Sequence, residues 1–94
     1  MKLSFVIPAW NEEELLGATI KSIQQSAKEF EYEIIVADDA SDDRTAEIAA
    51  ELGSIVVRCD NRQIGVTRND GAAVATGDLL ICVDADTIVS EVVV

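Results

Sequence analysis

Asp84-Ala85-Asp86 puts two carboxylates one residue apart, directly after the apolar run Leu79-Leu80-Ile81-Cys82-Val83. Carboxylates so spaced can approach a single divalent ion together, one directly and the other through a water. Ions of the Mg²⁺ class are commonly held by one or two carboxylates, with phosphate oxygens completing the shell. A metal held there would offset the repulsion between carboxylates and a diphosphate, and would stabilise charge on a departing diphosphate. The same triplet also serves as a polar turn that ends a strand, and spacing alone does not separate the two. The chain contains no histidine. Catalysis and ligation by histidine are therefore excluded, and any metal rests on carboxylates, which favours Mn²⁺ or Mg²⁺.

Four further positions carry usable chemistry. A carboxylate of Asp38-Asp39 could accept the imide N–H of uracil, or the N1–H and amino group of guanine; alternatively Asp39 and Asp42 open the helix that follows. Glu12 faces the same choice between a base contact and a first-turn helix acid. Trp10 could pack beside a nucleobase or belong to the core. Arg68 could reach a phosphate, or pair at the surface with Asp70 or Glu47, a contact worth under about 1 kcal/mol. Gly71 among Ala72, Ala73 and Ala75 suits a helix seated close to its neighbour. Gly65 opens no GxGxxG pattern, so a dinucleotide fingerprint is absent.

These residues need a scaffold, and the apolar pattern supplies one. Leu3–Pro8 has the length of a strand, and Leu15, Leu16, Thr19, Ile20 and Ile23 follow at helical spacing. Asn11 is the expected N-cap of that helix, with glutamates in its first turn. Glu33–Asp38 reads as a second strand. Ser41 or Asp42 then caps a helix carrying Ala46, Ile48, Ala49 and Leu52, stopped by Gly53. Ser54–Arg58 is a third strand, residues 64–76 a third helix stopped by Gly77, and Asp78–Val83 a fourth strand. This alternation predicts an α/β fold, a Rossmann-like parallel sheet of about four strands with helices on both faces. Ligands of such sheets bind at the carboxyl ends of the strands. Those ends carry Pro8-Ala9-Trp10-Asn11-Glu12, Asp38-Asp39-Ala40-Ser41 and Asp84-Ala85-Asp86.

Bulk properties narrow the class. Ninety-four residues make one small domain of modest stability. A hydrophobic content of 49% is too high for a disordered chain. Eighteen acidic residues against seven basic ones give a net charge of −11, which argues against nucleic acid as a partner. No apolar run approaches the roughly 18 to 20 residues of a membrane span. Met1-Lys2-Leu3-Ser4 runs straight into the first strand without the features of a signal peptide, so a cytoplasmic location is expected. Cys59 and Cys82 form no CxxC motif, and Cys82, within an apolar run, is expected to be a buried, reduced thiol. The tail Ile88–Val94 has no stop signal and ends on three valines, which reads as a truncated chain. Apolar surface at that end predicts self-association into a homo-oligomer.

Taken in order, Val6-Ile7-Pro8-Ala9-Trp10-Asn11-Glu12-Glu13, Ile35–Asp43, Gly65–Gly71, Ala75–Asp78 and Val83–Thr87 resemble the family 2 glycosyltransferases of GT-A fold. The resemblance runs to about Thr87 and implies the N-terminal, nucleotide-sugar-binding half of that fold over residues 1–94. It implies that Pro8, Ala9, Trp10, Glu12 and Asp39 line a nucleoside pocket, with Asp39 bonding the base of a UDP- or GDP-linked sugar. It further implies that Asp84 and Asp86 are the family's DxD, Asp86 the more direct metal ligand, and Arg68 a phosphate neighbour. Relatives transfer the sugar with inversion, using a carboxylate further along the chain as base. The acceptor-binding and base-bearing segments should follow Asp86 by many tens of residues, so the general base is expected beyond residue 94. A nucleotide-binding module without catalytic activity is the alternative. A phospho-receiver-like domain fits poorly, because the acidic pair follows the second strand and no lysine occurs after Lys28.

Overall fold

Every residue of the first strand from Leu3 to Ala9 is buried, which a strand achieves at the centre of a sheet covered on both faces. The computed structural model describes residues 1–94 and realises that arrangement. Its elements alternate as β1 (Lys2–Ala9), α1 (Leu16–Ser26), β2 (Glu31–Asp39), α2 (Thr45–Glu51), β3 (Ile55–Cys59), α3 (Ile64–Ala73) and β4 (Leu79–Cys82). The strands form one sheet in the order β3-β2-β1-β4, with all neighbours parallel. β2 starts at Glu31, two residues before the expected Glu33, because Glu31 pairs with Lys2.

Side chains alternate across a strand, so β1 and β2 each feed two cores. Leu3, Phe5 and Ile7 of β1 join Ile34 and Val36 of β2 against Leu16, Ile20 and Ile23 of α1 and Ala49 of α2. The Phe5 and Tyr32 rings meet edge to face at 6.3 Å. The opposite face receives α3 at very short range. A Cβ on Gly71 would lie 2.8 Å from Val6 Cγ1 and 3.2 Å from Ala37 Cβ, so the glycine permits the close seat that its small neighbours suggested.

At the amino end of the sheet, Glu33 accepts hydrogen bonds from the Ser4 hydroxyl (2.7 Å) and the Thr76 amide (2.7 Å), with Lys2 Nζ at 3.6 Å. Burial raises the Glu33 pKa, but these donors and Lys2 outweigh it and leave the group below its ordinary value.

Several local expectations are corrected. Asn11 does not cap α1, which starts at Leu16 with no acid in its first turn. Asn11 instead adopts φ +49° and binds across to the next loop: its amide donates to Ser41 Oγ, and its Oδ1 accepts from the Asp42 amide, both at 2.9 Å. Neither Ser41 nor Asp42 caps α2; Asp43 Oδ1 accepts the Thr45 amide at 2.9 Å. Helix α3 ends at Ala73 rather than at residue 76. Gly77 is needed where the chain passes β1, since a Cβ there would sit 2.8 Å from the Lys2 carbonyl oxygen. Gly53, at φ +85°, does stop α2 as expected.

Cys82 is exposed, not buried, because β4 is an edge strand paired only with β1, and Leu79 and Leu80 are exposed with it. In the tail, Val89 and Val92 pack against the main core, while Ile88, Val93 and Val94 face outward and form the apolar surface expected there. No helix is long and apolar enough to cross a membrane.

Candidate functional site

β2 lies on one side of β1 and β4 on the other, so the sheet changes direction between β1 and β4. Crevices form at such switch points, outside the carboxyl ends of the strands. Here a cleft of about 840 Å³ opens at that edge, within the roughly 300–1,000 Å³ usual for small-molecule sites.

Seven of the eight residues singled out from the sequence line it. Pro8, Ala9, Trp10 and Glu12 come from the end of β1, Asp39 from the end of β2, and Asp84 and Asp86 from the segment after β4. Trp10 is 61% exposed, so it belongs to the cleft wall and not to the core. Arg68 is not among the lining residues. It stands one helical turn beyond Ile64 in α3, half-buried, and takes part in no ion pair.

The remaining wall carries Asp60, Arg62, Ile64 and Thr67, with Ala40 and Asp42 beside Asp39. Ala40, Asp42 and Thr67 fall within segments that carry the family resemblance but were not assigned to a cleft, and Asp60, Arg62 and Ile64 lie outside every motif. The signal that could have found these last three is topological: the loop after β3 must open on the same edge as those after β1, β2 and β4.

Asp38 and Asp39 have separate fates. Asp38 is fully buried: Ser41 Oγ donates to its Oδ1, and Arg58 Nε lies 3.0 Å from its Oδ2. That arginine N–H is not aimed well enough for a hydrogen bond, so the contact is one of charge. Asp39 faces the cleft and the start of α3, not α2. The Asn61 amide donates to its Oδ1 at 2.7 Å. That bond above all lowers the Asp39 pKa, against some desolvation, helped by the Arg62 and Gln63 amides and the Thr67 hydroxyl. Asp39 is therefore an ionised, acceptor-only group at neutral pH.

Asp84 and Asp86 are both exposed, while Val83 and Ala85 between and before them are buried at 7% and 5%. Ala85 and Asp86 sit in a turn closed by the Thr87 amide, which donates to the Asp84 carbonyl at 3.0 Å, and this turn buries Ala85 while leaving both carboxylates exposed. The wall is strongly negative: Glu12, Asp39, Asp42, Asp60, Asp84 and Asp86 face one cation, Arg62. Glu12 feels this directly; burial raises its pKa first, and Asp86 and Asp43 raise it further. No three ligating side chains meet in a ready-made cage. An ion of the Mg²⁺ type held by one or two carboxylates and completed by phosphate oxygens fits such a donor set, and its charge would relieve the repulsion that Glu12 registers.

The sequence model of glycosyl transferase family 2 matches residues 4–93. Over 91 residues the chain is 36% identical to dolichol-phosphate mannosyltransferase of Pyrococcus furiosus, covering 92% of this chain and 26% of that protein. Among solved structures, it superposes on Staphylococcus aureus TarS 1–349 in complex with UDP with a TM-score of 0.83. That match has 28% identity and covers 97% of this chain and 29% of the other. Glucosyl-3-phosphoglycerate synthase from Mycobacterium tuberculosis, in complex with Mn²⁺, UDP and glucosyl-3-phosphoglycerate, matches with a TM-score of 0.79 and 28% identity, over 89% of this chain and 33% of that one. The chain spans about a quarter to a third of the length of these relatives.

Proposed function

The chain belongs to glycosyl transferase family 2, and on that premise we propose that its cleft binds the nucleoside diphosphate part of a UDP- or GDP-linked sugar. The intact protein then transfers that sugar to an acceptor with inversion at the anomeric carbon. One observation carries the proposal: an acceptor-only carboxylate, Asp39, shares a switch-point cleft with the outward-facing pair Asp84 and Asp86. The relatives solved with UDP, and with UDP and Mn²⁺, support it.

Asp39 accepts the imide N–H of uracil, or N1–H of guanine. Adenine and cytosine present a ring acceptor at the equivalent edge and are disfavoured, because an ionised carboxylate has no proton to offer them. Trp10 packs beside the base, with Pro8 and Ala9 as the adjoining wall. Asp86, seconded by Asp84, holds Mn²⁺ or Mg²⁺. When bound, the metal supplies the positive charge that lets an acidic cleft accept a diphosphate and stabilises that diphosphate as it departs. Glu12 and Arg62 set the charge balance of the rim. No cleft residue is assigned as the base that activates the acceptor.

The test is calorimetry of UDP and GDP on this chain, with and without Mn²⁺, alongside Asp86→Ala and Asp39→Asn. Binding should depend on Mn²⁺ and lose that dependence in Asp86→Ala. Asp39→Asn should weaken the preferred nucleotide roughly tenfold or more, the worth of a hydrogen bond to a charged group. Metal-independent binding unaffected by either substitution, or no binding of either nucleotide, would refute the proposal.

A further inference from the structure

The aspartate pair lies past the last residue of β4. The ladder to β1 continues only as far as the Val83 amide, which donates to the Val6 carbonyl at 3.0 Å. Beyond it the chain turns, the Thr87 amide donating to the Asp84 carbonyl at 3.0 Å, and one side of α1 ties that turn to the fold. Thr19, Ser22 and Ser26 recur at three- and four-residue spacing and form a single stripe on that helix. Each member of the stripe binds backbone after β4. Thr19 Oγ1 donates to the Ala85 carbonyl at 2.8 Å. Ser22 Oγ accepts from the Val89 amide at 2.9 Å, and Ser26 Oγ donates to the Val89 carbonyl at 2.8 Å. Three hydroxyls of a helix thus stand in for a missing strand partner.

Thr19 matters most. It is fully buried among Leu16, Ile20 and Ile23, where an apolar side chain of the same shape would pack as well. A hydroxyl there requires a partner. It has one proton and two candidate acceptors, Ala85 O at 2.8 Å and Leu15 O of its own helix at 3.4 Å. The shorter contact is the bond; the longer lies beyond the usual hydroxyl range. The carbonyl it fixes belongs to the residue between the two aspartates.

We propose that Thr19 is a positioning residue for Asp84 and Asp86. By pinning the Ala85 peptide inward it fixes the direction in which both carboxylates leave the chain, and Ser22 with Ser26 anchor the same segment at Val89. The inference rests on the donor-site function proposed above. Carboxylates that share an ion lose affinity when the groups orienting them are removed, typically ten- to a hundredfold.

Thr19→Val removes the hydroxyl and keeps the shape, and Thr19→Ser keeps the hydroxyl. Thr19→Val should weaken Mn²⁺-dependent UDP binding by about ten- to a hundredfold, Thr19→Ser should restore it, and uridine, which lacks phosphates, should bind all three chains alike when followed by NMR. Without any ligand, the amide resonances of residues 84–87 should shift in Thr19→Val, while those of 10–12 hold still. Wild-type behaviour of Thr19→Val overturns the proposal. Parallel loss of uridine and UDP affinity with a lowered melting temperature also overturns it, since that marks a purely structural role. Should the wild-type chain bind no UDP with Mn²⁺, the donor-site function fails, and the ligand-free spectrum alone decides: unmoved resonances at 84–87 refute the positioning role.

Discussion

Alanine at position 71 tests how closely α3 is seated on the sheet. Two effects of opposite sign compete. In a helix interior, alanine is favoured over glycine by about 1 kcal/mol. Against that, the new Cβ would stand 2.8 Å from Val6 Cγ1 and 3.2 Å from Ala37 Cβ, where carbon atoms prefer about 3.5–4.0 Å. Neither neighbour can yield easily. Ala37 Cβ is fixed to the backbone, and Val6 is fully buried with a stiff β-branched side chain. The helix must retreat or Val6 must leave its rotamer, and overpacking of this kind costs about 1–3 kcal/mol. Gly65→Ala is the control, since no atom lies within 4 Å of its added Cβ, leaving only the propensity gain. Comparing the two variants cancels most of that gain and isolates the clash. Urea unfolding followed by far-ultraviolet circular dichroism should rank Gly65→Ala above wild type and Gly71→Ala below it. The gap between the variants should be about 1–3 kcal/mol, and each kcal/mol should move the melting temperature by roughly 4–8 °C in a domain of this size. Because α3 carries Ile64 and Thr67 to the cleft, its retreat should weaken nucleotide binding as well. A Gly71→Ala chain as stable as Gly65→Ala would refute the close seat and everything derived from it.

Other perturbations act through charge. Glu33 has its folded pKa below the ordinary value, so it contributes stability above the unfolded carboxylate pKa of about 4, and that contribution is lost as pH falls through the lower folded value. Glu33→Gln should be less stable than wild type at pH 7, and the two unfolding free energies should converge as the pH falls below the ordinary carboxylate range, measured by urea titration across pH. Asp39 and Asp43 carry shifts of the same sign and steepen the same acid limb. Glu12 is shifted the other way: its ionised form costs stability above the raised folded pKa, and acid relieves that cost. Glu12→Gln should therefore melt higher than wild type at pH 7 without metal and respond less to Mn²⁺; a lower melting temperature would show that repulsion at the cleft rim is not what Glu12 registers.

The alternating architecture was readable because β1 and β2 are covered on both faces, which leaves unbroken apolar runs in the sequence. The site was readable for a related reason: in a parallel sheet the carboxyl ends of the strands share one edge, so Trp10, Asp39, Asp84 and Asp86 converge whatever the loops do. Caps were misread because cap rules assume a local partner. Asn11 and Ser41 satisfy each other's loops across about thirty residues instead. The exposure of Cys82 follows from strand order, which no local pattern encodes. The wall formed by Asp60 and Arg62 has no motif and becomes visible only once the loop after β3 is known to close on Asp39.

The central place of β1 has a consequence for the chain's own synthesis. β1 is made first, yet one of its two ladder partners, β4, begins only at Leu79. At translation rates of about 5–20 residues per second, roughly 4 to 14 seconds separate the two strands as they are made. During that interval one edge of Leu3–Ile7, buried at every residue in the finished fold, stands open on the nascent polypeptide. Parallel pairing over such a separation is also slow to close. The segment that ends as the best-protected part of the protein is thus the one most exposed to chaperones, or to a neighbouring nascent chain, on the polysome.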